Sequence, residues 1–510
     1  MSPFLVLILL LIVLYKLYEF LNCVPPNAPP CIPRIPFVGS YWHLLWRNYK
    51  FPHKAIRYYV EKYQSPTLSL YLGGFFAVIA NDYKTIKEIL TREEFSGRAV
   101  DVPVLKDRAF GKVYGIFFTE GPQWTEQRRF ALRHMRDFGF GRRQHNFESI
   151  VMDEVSLLVD MLKEGPKYEH EKEILKKGYA RFPDVLYPLS ANNIWQIIFG
   201  ERLDRSENNK LRYFCECAMV FQRAADTTGG ALFQRPFLKY FGNMFGYKNM
   251  IWSHYRMIDF LKENLEKQRK THRSDSDRGL VDRYLEEMQN RGDKPSYFNE
   301  EQLLMTLVDF SFPSLSAVSS VLTHCIKCTM HHPEVAKKVQ GEIDMQVGSG
   351  RYITWDDRKN LPYTEATIRE ALRYETLTPF SVLHKAQKDT TLSGYDIPKD
   401  SLIITNLAGM NHDPEFWGDP DNFRPERFLN ENGELAKDYT FSFGFGHRVC
   451  AGETFARYTM FAAYAVLMQN FNFSFVKGEP SGLDDTVAGL IVTPKEVWIR
   501  NMFPLRKRRR

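Results

Sequence analysis

The chain has 510 residues, of which 44% are hydrophobic and 25% are charged. This apolar content supports a large buried core and excludes an intrinsically disordered chain. The formal net charge is +7, and the last five residues, 506–510, are all Arg or Lys, so the body is close to neutral. A basic tail without interleaved aromatic residues is typical of a solvated end or of a contact with anionic lipid. We therefore expect no nucleic-acid partner.

The first 24 residues have the pattern of a membrane anchor. Residues 3–15 form an uncharged apolar run, and Lys16 and Glu19 follow it. A secretory signal would carry positive charge before the run and small residues after it, and the sequence has neither. Because positive charge follows the run, we predict a single N-terminal anchor over residues 1–24 with the body on the cytosolic side. A helix lying in the membrane interface is the alternative.

Residues 25–36 contain six prolines. Proline restricts the backbone to extended conformations, so this segment is predicted to be a semi-rigid hinge between the anchor and the body. Residues 37–505 show no repeat and no second low-complexity break, which indicates one large domain followed by the basic tail of residues 506–510.

Helical periodicity dominates this large domain. It is clearest over residues 305–330 and 333–347, whereas strand-like runs are short and lie within residues 65–80 and at residues 401–405. The polar stretch 267–293 is predicted to be a solvated loop with a short helix. The pattern favours a mostly α fold with small β-sheets.

The seven cysteines are sparse and odd in number, which argues against a disulfide framework and indicates a reducing compartment. Cys325 and Cys328 have the CxxC spacing of some metal sites, and His331 and His332 lie close by. The sequence holds no second CxxC pair, and the segment is apolar with helical spacing. We therefore expect Cys325 and Cys328 to be core residues.

The segment 443–452, FGFGHRVCAG, has the features that a metal-binding thiolate needs. Backbone N–H donors share the charge of a thiolate, and nearby positive charge keeps it ionised. Gly446 and Gly452 allow the backbone to turn tightly around Cys450, and Arg448 supplies a fixed positive charge.

This segment resembles the haem-binding signature of the cytochrome P-450 family. The five fixed positions of that signature are matched here by Phe443, Gly446, Arg448, Cys450 and Gly452. The resemblance implies that the chain binds haem b, iron protoporphyrin IX, with Cys450 as the fifth ligand of the iron and Arg448 at a haem propionate. A buried inert thiol is the alternative for Cys450, and so many coinciding positions argue against it.

Further matches to the family follow in the family's order along the chain. Glu370 and Arg373 match its Glu-x-x-Arg, in which the two side chains share one helical face. Arg427, in FRPERF, matches the third member of that network, which in the family supports the haem-binding core.

Other residues match the propionate-binding positions of the family. Trp124 and Arg128 match its Trp-x-x-x-Arg, and His384 matches a position that precedes GYDIPKD in this sequence. The resemblance extends from the hinge to the segment near Leu490 and points to microsomal members, including arthropod relatives of the steroid and xenobiotic hydroxylases.

The resemblance also implies a reaction, partners and a location. The haem-thiolate catalytic domain, residues 37–505, would insert one oxygen atom from O₂ into an apolar steroid, fatty acid, terpenoid or xenobiotic. Electrons would come from NADPH through NADPH–cytochrome P-450 reductase, with cytochrome b5 as a further partner. The location would be the endoplasmic reticulum membrane. By the same resemblance, the substrate pocket would include Phe312, Ser316, Ser381, Val382 and Leu490.

Five phenylalanines between residues 221 and 245 have more than one interpretation. They are candidates for the pocket or its access channel, and equally for helix packing or for a surface that dips into the membrane. These residues are Phe221, Phe233, Phe237, Phe241 and Phe245.

The predicted central helix departs from the family pattern. The family's acid and alcohol align with Ser316 and Ala317, within the run PSLSAV at residues 313–318. Oxygen activation needs protons, which the acid and the alcohol deliver in the family. Pro313 removes the helical donor to the carbonyl of Asp309 and predicts a kink. Asp309 itself is a further candidate for a catalytic role.

Three explanations of this departure stay open at the level of sequence. In the first, Ser314, Ser316 or a substrate hydroxyl carries the protons of a reductase-coupled monooxygenase. In the second, the oxidant comes from peroxide, and in the third the enzyme rearranges an already oxidised substrate such as a hydroperoxide. A non-catalytic haem-binding sensor is a further alternative, because Ala317 has no hydroxyl.

Overall fold

Helices account for most of the regular structure. The computed structural model describes residues 3–100, 102–138, 140, 145–273, 277–292, 294 and 296–502. Within these ranges the α-helices, α1 to α18 in chain order, are Pro3–Asn22, Tyr41–Arg47, Ile56–Tyr63, Tyr83–Thr91, Pro103–Asp107, Gly121–Asp137, His145–Glu164, Tyr187–Phe199, Asn208–Arg223, Gly230–Gln234, Tyr247–Thr271, Leu280–Arg291, Glu300–His331, Pro333–Gln346, Pro362–Tyr374, Leu407–Asn411, Pro414–Trp417 and Glu453–Asn470.

The strands and the 3₁₀ helices are short. The strands, β1 to β12, are Thr67–Leu72, Phe75–Ala80, Leu175–Lys176, Tyr179–Phe182, His384–Lys385, Thr390–Leu392, Tyr395–Ile397, Leu402–Thr405, Asn472–Phe475, Thr486–Val487, Thr493–Pro494 and Val497–Met502. The 3₁₀ helices are Pro52–Ala55, Glu93–Phe95, Glu169–Glu171, Asp184–Leu186, Arg205–Glu207, Pro236–Phe241, Trp355–Asn360, Pro425–Phe428 and Gly446–Arg448.

The strands form small sheets at the edges of the helical body. One sheet has the order β1-β2-β8-β5, in which β2 and β8 are parallel and the other neighbours are antiparallel. A second sheet has the order β3-β4-β12-β9, and β6-β7 and β10-β11 are separate pairs. The prediction of a mostly α fold with small β-sheets is confirmed.

Helix α13, Glu300–His331, runs through the core. The side chain of Asn299 caps it by accepting the backbone N–H of Gln302 at 2.8 Å, and Glu300 and Glu301 lie in its first turn, where the helix dipole favours acids. Helices α8, α9, α11, α15 and α18 pack around it. Among the described residues it is the one helix long and apolar enough to cross a membrane, but 83% of its apolar window is buried inside the protein. It is therefore a core helix of the body.

The N-terminal helix and the proline-rich segment differ in how they contact the body. Helix α1 exposes most of its apolar side chains, and Lys16 Nζ donates to Glu19 Oε2 at 2.7 Å. By contrast, Ile32 is buried and its N–H donates to the carbonyl of Ser69 at 2.8 Å. Ser69 Oγ donates to the carbonyl of Pro29 at 2.7 Å. The body therefore includes residues 29–36, which the sequence pattern assigned to the hinge.

Most elements fall where the sequence pattern places them. The two predicted helices correspond to α13 and α14, and the strand-like runs correspond to β1, β2 and β8. Cys325 and Cys328 are buried free thiols in α13, in agreement with a core role. The basic tail, residues 506–510, lies outside the described residues.

The polar stretch 267–293 contains the end of one helix and a short helix of its own. Helix α11 continues to Thr271, and α12 covers Leu280–Arg291. Leu280, Val281 and Tyr284 are buried, so α12 packs one face against the body. This is the short helix predicted within the stretch.

Candidate active site

Cys450 lies in a tight loop that precedes α18. The carbonyl of Phe443 accepts the backbone N–H of Cys450 at 2.8 Å and closes this loop. Gly446 has φ 67°, and a Cβ added there would come within 2.1 Å of the carbonyl oxygen of Leu90, so a side chain does not fit. A Cβ on Gly452 would come within 3.1 Å of the Phe140 ring. Backbone constraints therefore fix the position of the thiol.

The thiol of Cys450 combines an internal position with an open surface. Protein atoms surround this residue, yet its side chain is exposed, as expected of a sulfur that faces an internal space. Burial raises the pKa of the Cys450 thiol, whereas the backbone N–H of Gly452 and the charges of Arg128 and Arg457 lower it. Because burial is the largest effect, a bound metal cation would be needed to hold the thiolate form.

Glu370 and Arg373 on α15, Pro362–Tyr374, form a buried ion pair. Arg373 Nε and Nη2 donate to the two carboxylate oxygens of Glu370, each at 2.8 Å, and both side chains are 0% exposed. Arg427 Nε donates to Glu370 Oε1 at 3.3 Å. Arg373 also donates to the backbone carbonyls of Asn411 and Pro420. The pair thereby ties α15 to the segment that precedes the Cys450 loop.

Arg448 and Trp124 are stacked between the Cys450 loop and α6, Gly121–Asp137. The Arg448 guanidinium lies over the Trp124 ring, 3.6 Å from its centroid. Arg448 Nε and Nη2 donate to the carbonyls of Ser96 and Thr119 at 2.8 and 3.0 Å. Arg128, one helical turn after Trp124, donates to a backbone carbonyl immediately before Cys450. Three of the four side chains predicted at the propionates are thus brought together beside the thiol.

Arg98 joins Arg128 and Arg448 in one cluster of positive charge. Burial and the charges of Arg448 and Arg128 lower the pKa of Arg98 well below its usual range. Burial and the charge of Arg128 lower the pKa of Arg448 to about 9. Glu120 offsets part of this charge, accepting the Arg98 backbone N–H at 2.7 Å. A cluster of this kind favours a bound group that carries carboxylates.

His384 is buried near the same cluster. Its Nδ1 lies 2.6 Å from the carbonyl oxygen of Phe95, and because a carbonyl only accepts, Nδ1 carries the proton. Burial and the charge of Arg98 lower the pKa of His384 well below its usual range. A carboxylate beside Nε2 would favour the imidazolium, which donates from both nitrogens.

These residues fit a haem. Trp124 Nε1 is buried and has no hydrogen-bond partner among the described residues, so it is a donor that a carboxylate would satisfy. The guanidinium groups of Arg98, Arg128 and Arg448 would supply the charge for two propionates, and the Cys450 thiol would supply the soft ligand for iron.

Asp309 on α13 is fully occupied by structural contacts. Its Oδ1 accepts from Arg108 Nη2 at 2.9 Å, and its Oδ2 accepts the backbone N–H groups of Ile116 and Phe117 at 2.8 and 2.9 Å. The Arg108–Asp309 pair is buried. Asp309 therefore ties the segment before α6 to the core helix, and this geometry does not support the catalytic role considered for it.

The segment of α13 around Pro313 keeps its helical assignment. Ser314 Oγ donates to the carbonyl of Phe310 and Ser316 Oγ donates to the carbonyl of Phe312, each at 2.8 Å. Ser316 is buried, whereas Ala317 is only partly buried. The two hydroxyls thus bond to the helix's own backbone.

A mostly apolar cavity of about 150 Å³ adjoins α13. Four predicted pocket residues, Phe312, Ser381, Val382 and Leu490, line it. Ser316 is not in the cavity wall but contacts Gln222, which is. Cys450 lines neither this cavity nor a larger one of about 1170 Å³, but the larger one also lacks any residue from the central part of α13, whereas Phe312 lines the smaller one. The smaller cavity is therefore the candidate substrate site.

The five phenylalanines divide between the cavity and the surface. Phe221, Phe233 and Phe245 line the cavity. Phe237 and Phe241 are each 56% exposed and lie in the 3₁₀ helix Pro236–Phe241. The first three are therefore candidates for the pocket, and the other two belong to an exposed apolar surface.

Arg98, a member of the positive cluster, was missed by the sequence interpretation. Arg108 and Gln222 line the cavity and were not singled out from the sequence. The available signal was weak: Gln222 is a polar residue on the apolar side of an amphipathic helix, and the ion pair of Arg108 joins residues far apart in sequence.

Together, the thiol in its closed loop and the positive cluster beside it define a haem-thiolate enzyme. The chain belongs to the cytochrome P450 family, whose sequence profile, described as Cytochrome P450, matches residues 29–499. It is an oxidoreductase of the monooxygenase type with haem iron as its cofactor. The relatives do not favour a peroxygenase, a hydroperoxide isomerase or a non-catalytic sensor.

The chain is similar to mammalian and insect members over nearly its whole length. It is 33% identical to cytochrome P450 2J3 of Rattus norvegicus over an alignment of 456 residues. This alignment covers 88% of this chain and 86% of the relative. It is 30% identical over 491 residues to the farnesoate epoxidase of Bombyx mori, with 95% and 94% covered. It is 32% identical over 455 residues to cytochrome P450 2B9 of Mus musculus, with 87% of each chain covered.

Proposed function

We propose that this monooxygenase holds haem b through Cys450 and inserts one oxygen atom into an apolar small molecule, with electrons from NADPH through a reductase. The observation that carries the proposal is the exposed, internally placed thiol of Cys450 beside the cluster of Arg98, Arg128 and Arg448. Haem supplies the oxidation chemistry when it is bound. The protein supplies the ligand, the orientation and a dry cavity.

The residues around the thiol divide into two roles. Arg448, Arg128, Trp124 and His384 would hold the haem carboxylates, since Arg448 stacks on Trp124, its charge acts on Arg128 and His384, and Trp124 Nε1 is an unpartnered donor among the described residues. Glu370, Arg373 and Arg427 would support the segment that carries the thiol ligand, because their ion pairs are buried and join separate elements. Loss of the first group weakens haem binding, and loss of the second weakens the fold.

The substrate class follows from the lining of the cavity. Phe117, Phe118, Phe221 and Phe312 contribute aromatic surface, which favours an apolar ligand with few polar groups. One relative is named as a farnesoate epoxidase, and a substrate of that apolar character suits this lining. Steroids, fatty acids, terpenoids and xenobiotics all belong to the proposed class.

Proton delivery in this chain would not depend on Ser316. Its hydroxyl donates to the Phe312 carbonyl at 2.8 Å and accepts from Gln222 Nε2 at 2.6 Å, so it is engaged on both sides. Ser314, which is only partly buried, and a hydroxyl on the substrate are the better candidates.

The exposed apolar surface supports a membrane location. Helix α1 presents an apolar surface, and Phe237, Tyr240, Phe241 and Met244 are 56%, 82%, 56% and 76% exposed. Large exposed apolar patches mark membrane or protein contacts. We place residues 1–24 as the anchor in the endoplasmic reticulum membrane and the catalytic body in the cytosol, with NADPH–cytochrome P-450 reductase and cytochrome b5 as electron donors.

Turnover of the reconstituted enzyme under isotopically labelled dioxygen tests the proposal. With NADPH and reductase present, one labelled oxygen atom is expected in the product, and omission of reductase should abolish its formation. Product formed without reductase, from added hydroperoxide alone, would contradict the proposal. Cys450→Ala is the matched negative control, since it removes the iron ligand and leaves the cavity residues unchanged.

A further inference from the structure

Gln222, near the end of helix α9, Asn208–Arg223, is attached to the core helix by its side chain. It is 2% exposed. Its Nε2 lies 2.6 Å from Ser316 Oγ and 3.3 Å from the carbonyl oxygen of Phe312. The contact joins the part of α9 that lines the cavity to the part of α13 where Ser316 and Ala317 replace the family's acid and alcohol.

The orientation of this amide is determined by its partners. The Phe312 carbonyl can only accept, so the amide atom next to it is the N–H₂ group. Ser316 Oγ already donates to the same carbonyl and therefore accepts from Gln222. The two contacts leave the amide oxygen of Gln222 directed away from α13.

The amide oxygen, Gln222 Oε1, is buried and has no partner among the described residues. A buried acceptor without a donor is unfavourable, so such an atom is normally paired with a ligand or an ordered water. Gln222 lines the apolar cavity that is proposed to bind substrate. It therefore offers an unpaired acceptor at a mostly apolar cavity.

Arg108 supplies a complementary donor in the same cavity. Its Nη2 is paired with Asp309, while its Nη1 is buried and has no partner within the described ranges. Arg108 lines the cavity as well. A ligand oxygen that only accepts can therefore be satisfied by Arg108, whereas only a ligand with an O–H or N–H donor can satisfy Gln222.

We propose that Gln222 is a specificity-determining residue, whose Oε1 accepts a hydrogen bond from a hydroxyl group on an otherwise apolar substrate. The inference rests on the proposed function, because it takes the cavity to be the substrate site. The contacts to Ser316 and Phe312 hold the amide in place before the substrate binds, which lowers the entropy cost of the hydrogen bond.

A matched pair of ligands tests this inference in the full-length haem protein. Lauryl alcohol and lauryl methyl ether share their chain and their acceptor oxygen, but the ether carries a methyl group in place of the hydroxyl hydrogen and so has no donor. Calorimetric titration is expected to show about tenfold tighter binding of the alcohol, the range for one buried hydrogen bond. Gln222→Met should bind the alcohol and the ether with about equal affinity.

Gln234→Met is the matched control for the substitution. Gln234 is 3% exposed, but its Nε2 donates to Thr228 Oγ1 at 3.1 Å, and it does not line the cavity. The preference for the alcohol should persist in this variant. Equal affinities in the wild type, or an unchanged preference in Gln222→Met, would overturn the inference. Where Gln222→Met does not fold, Gln222→Leu is used in its place, and equal affinities in the wild type overturn the inference without any variant.

A ferrous carbonyl spectrum of each preparation separates this inference from the proposed function. A thiolate-type spectrum with equal alcohol and ether affinities would refute only the role of Gln222. A histidine-type spectrum would refute the haem ligation on which the proposed function depends.

Discussion

The thiolate side and the α13 side of the candidate active site differ in how closely they follow the cytochrome P450 pattern. On the thiolate side, Phe443, Gly446 and Cys450 are in place and the loop closes through a backbone hydrogen bond of 2.8 Å. On the α13 side, Ser316 and Ala317 replace the acid and the alcohol, and the hydroxyl of Ser316 bonds within the protein.

The difference shows that cofactor binding and proton delivery place different demands on the sequence. Cofactor binding depends on backbone geometry and on buried charge, which tolerate few substitutions. Proton delivery depends on a few side chains and water, which a substrate group can replace. The comparison therefore predicts severe effects from changes on the thiolate side and modest effects from changes on the α13 side.

The largest effect is expected from the buried ion pair that supports the thiolate side. Arg373→Ala leaves Glu370 as a buried carboxylate without its main partner and should lower the free energy of unfolding by about 3–5 kcal/mol. The midpoint of urea unfolding of the haem protein measures this. Arg57→Ala is the control, because Arg57 and Glu61 are 59% and 63% exposed and their pair should contribute less than about 0.5 kcal/mol. Similar midpoints for the two variants would contradict the account.

An intermediate effect is expected from the tie between Arg108 and Asp309. Asp309→Asn keeps an acceptor for the backbone N–H groups of the neighbouring segment but leaves the Arg108 charge unpaired. We expect a loss of about 2 kcal/mol in the free energy of unfolding. Asp153→Asn, whose carboxylate is 61% exposed beside Arg202, is the control. A loss below about 0.5 kcal/mol for Asp309→Asn would show that this ion pair does not stabilise the α13 side.

The stability of the protein is expected to depend on pH through Glu375, the residue that follows α15. Glu370 is paired with Arg373, whereas burial raises the pKa of Glu375 from 4.5 to about 7. Because the folded protein then holds a proton that the unfolded chain has released, stability should fall as the pH rises from 4.5 to about 7. Glu375 is half-buried, so we expect a loss of about 1–2 kcal/mol rather than the full linkage value.

Glu375→Gln tests the origin of that slope. Its unfolding midpoint, followed across the same pH range, should be flatter than that of the wild type. An unchanged slope would show that another group is responsible.

The smallest effect is expected from restoring a hydroxyl on α13. Ala317→Thr should raise the product formed per NADPH by about twofold to threefold, a small part of the ~10²–10⁴ available to a complete proton relay. The unfolding midpoint should stay the same, because residue 317 is only partly buried. Ala317→Val is the control of similar shape without the hydroxyl. An equal gain in both variants would indicate packing, and no gain in Ala317→Thr would show that this position does not limit proton delivery.

The sequence predicted the local parts of the site better than the parts assembled from distant segments. The Cys450 loop and the Glu370–Arg373 pair could be predicted because each lies within one short segment. Arg98 was missed and Gln222 was not singled out, because their partners lie on other elements, for example Ser316, 94 residues after Gln222. Only packing brings such groups together.

The ferrous carbonyl spectrum of the purified full-length protein tests the central claim most directly. The account predicts the long-wavelength Soret band of thiolate ligation, and it predicts that Cys450→Ala loses this band. A histidine-type carbonyl spectrum in the wild type, or a thiolate band that survives Cys450→Ala, would contradict the assignment of the iron ligand.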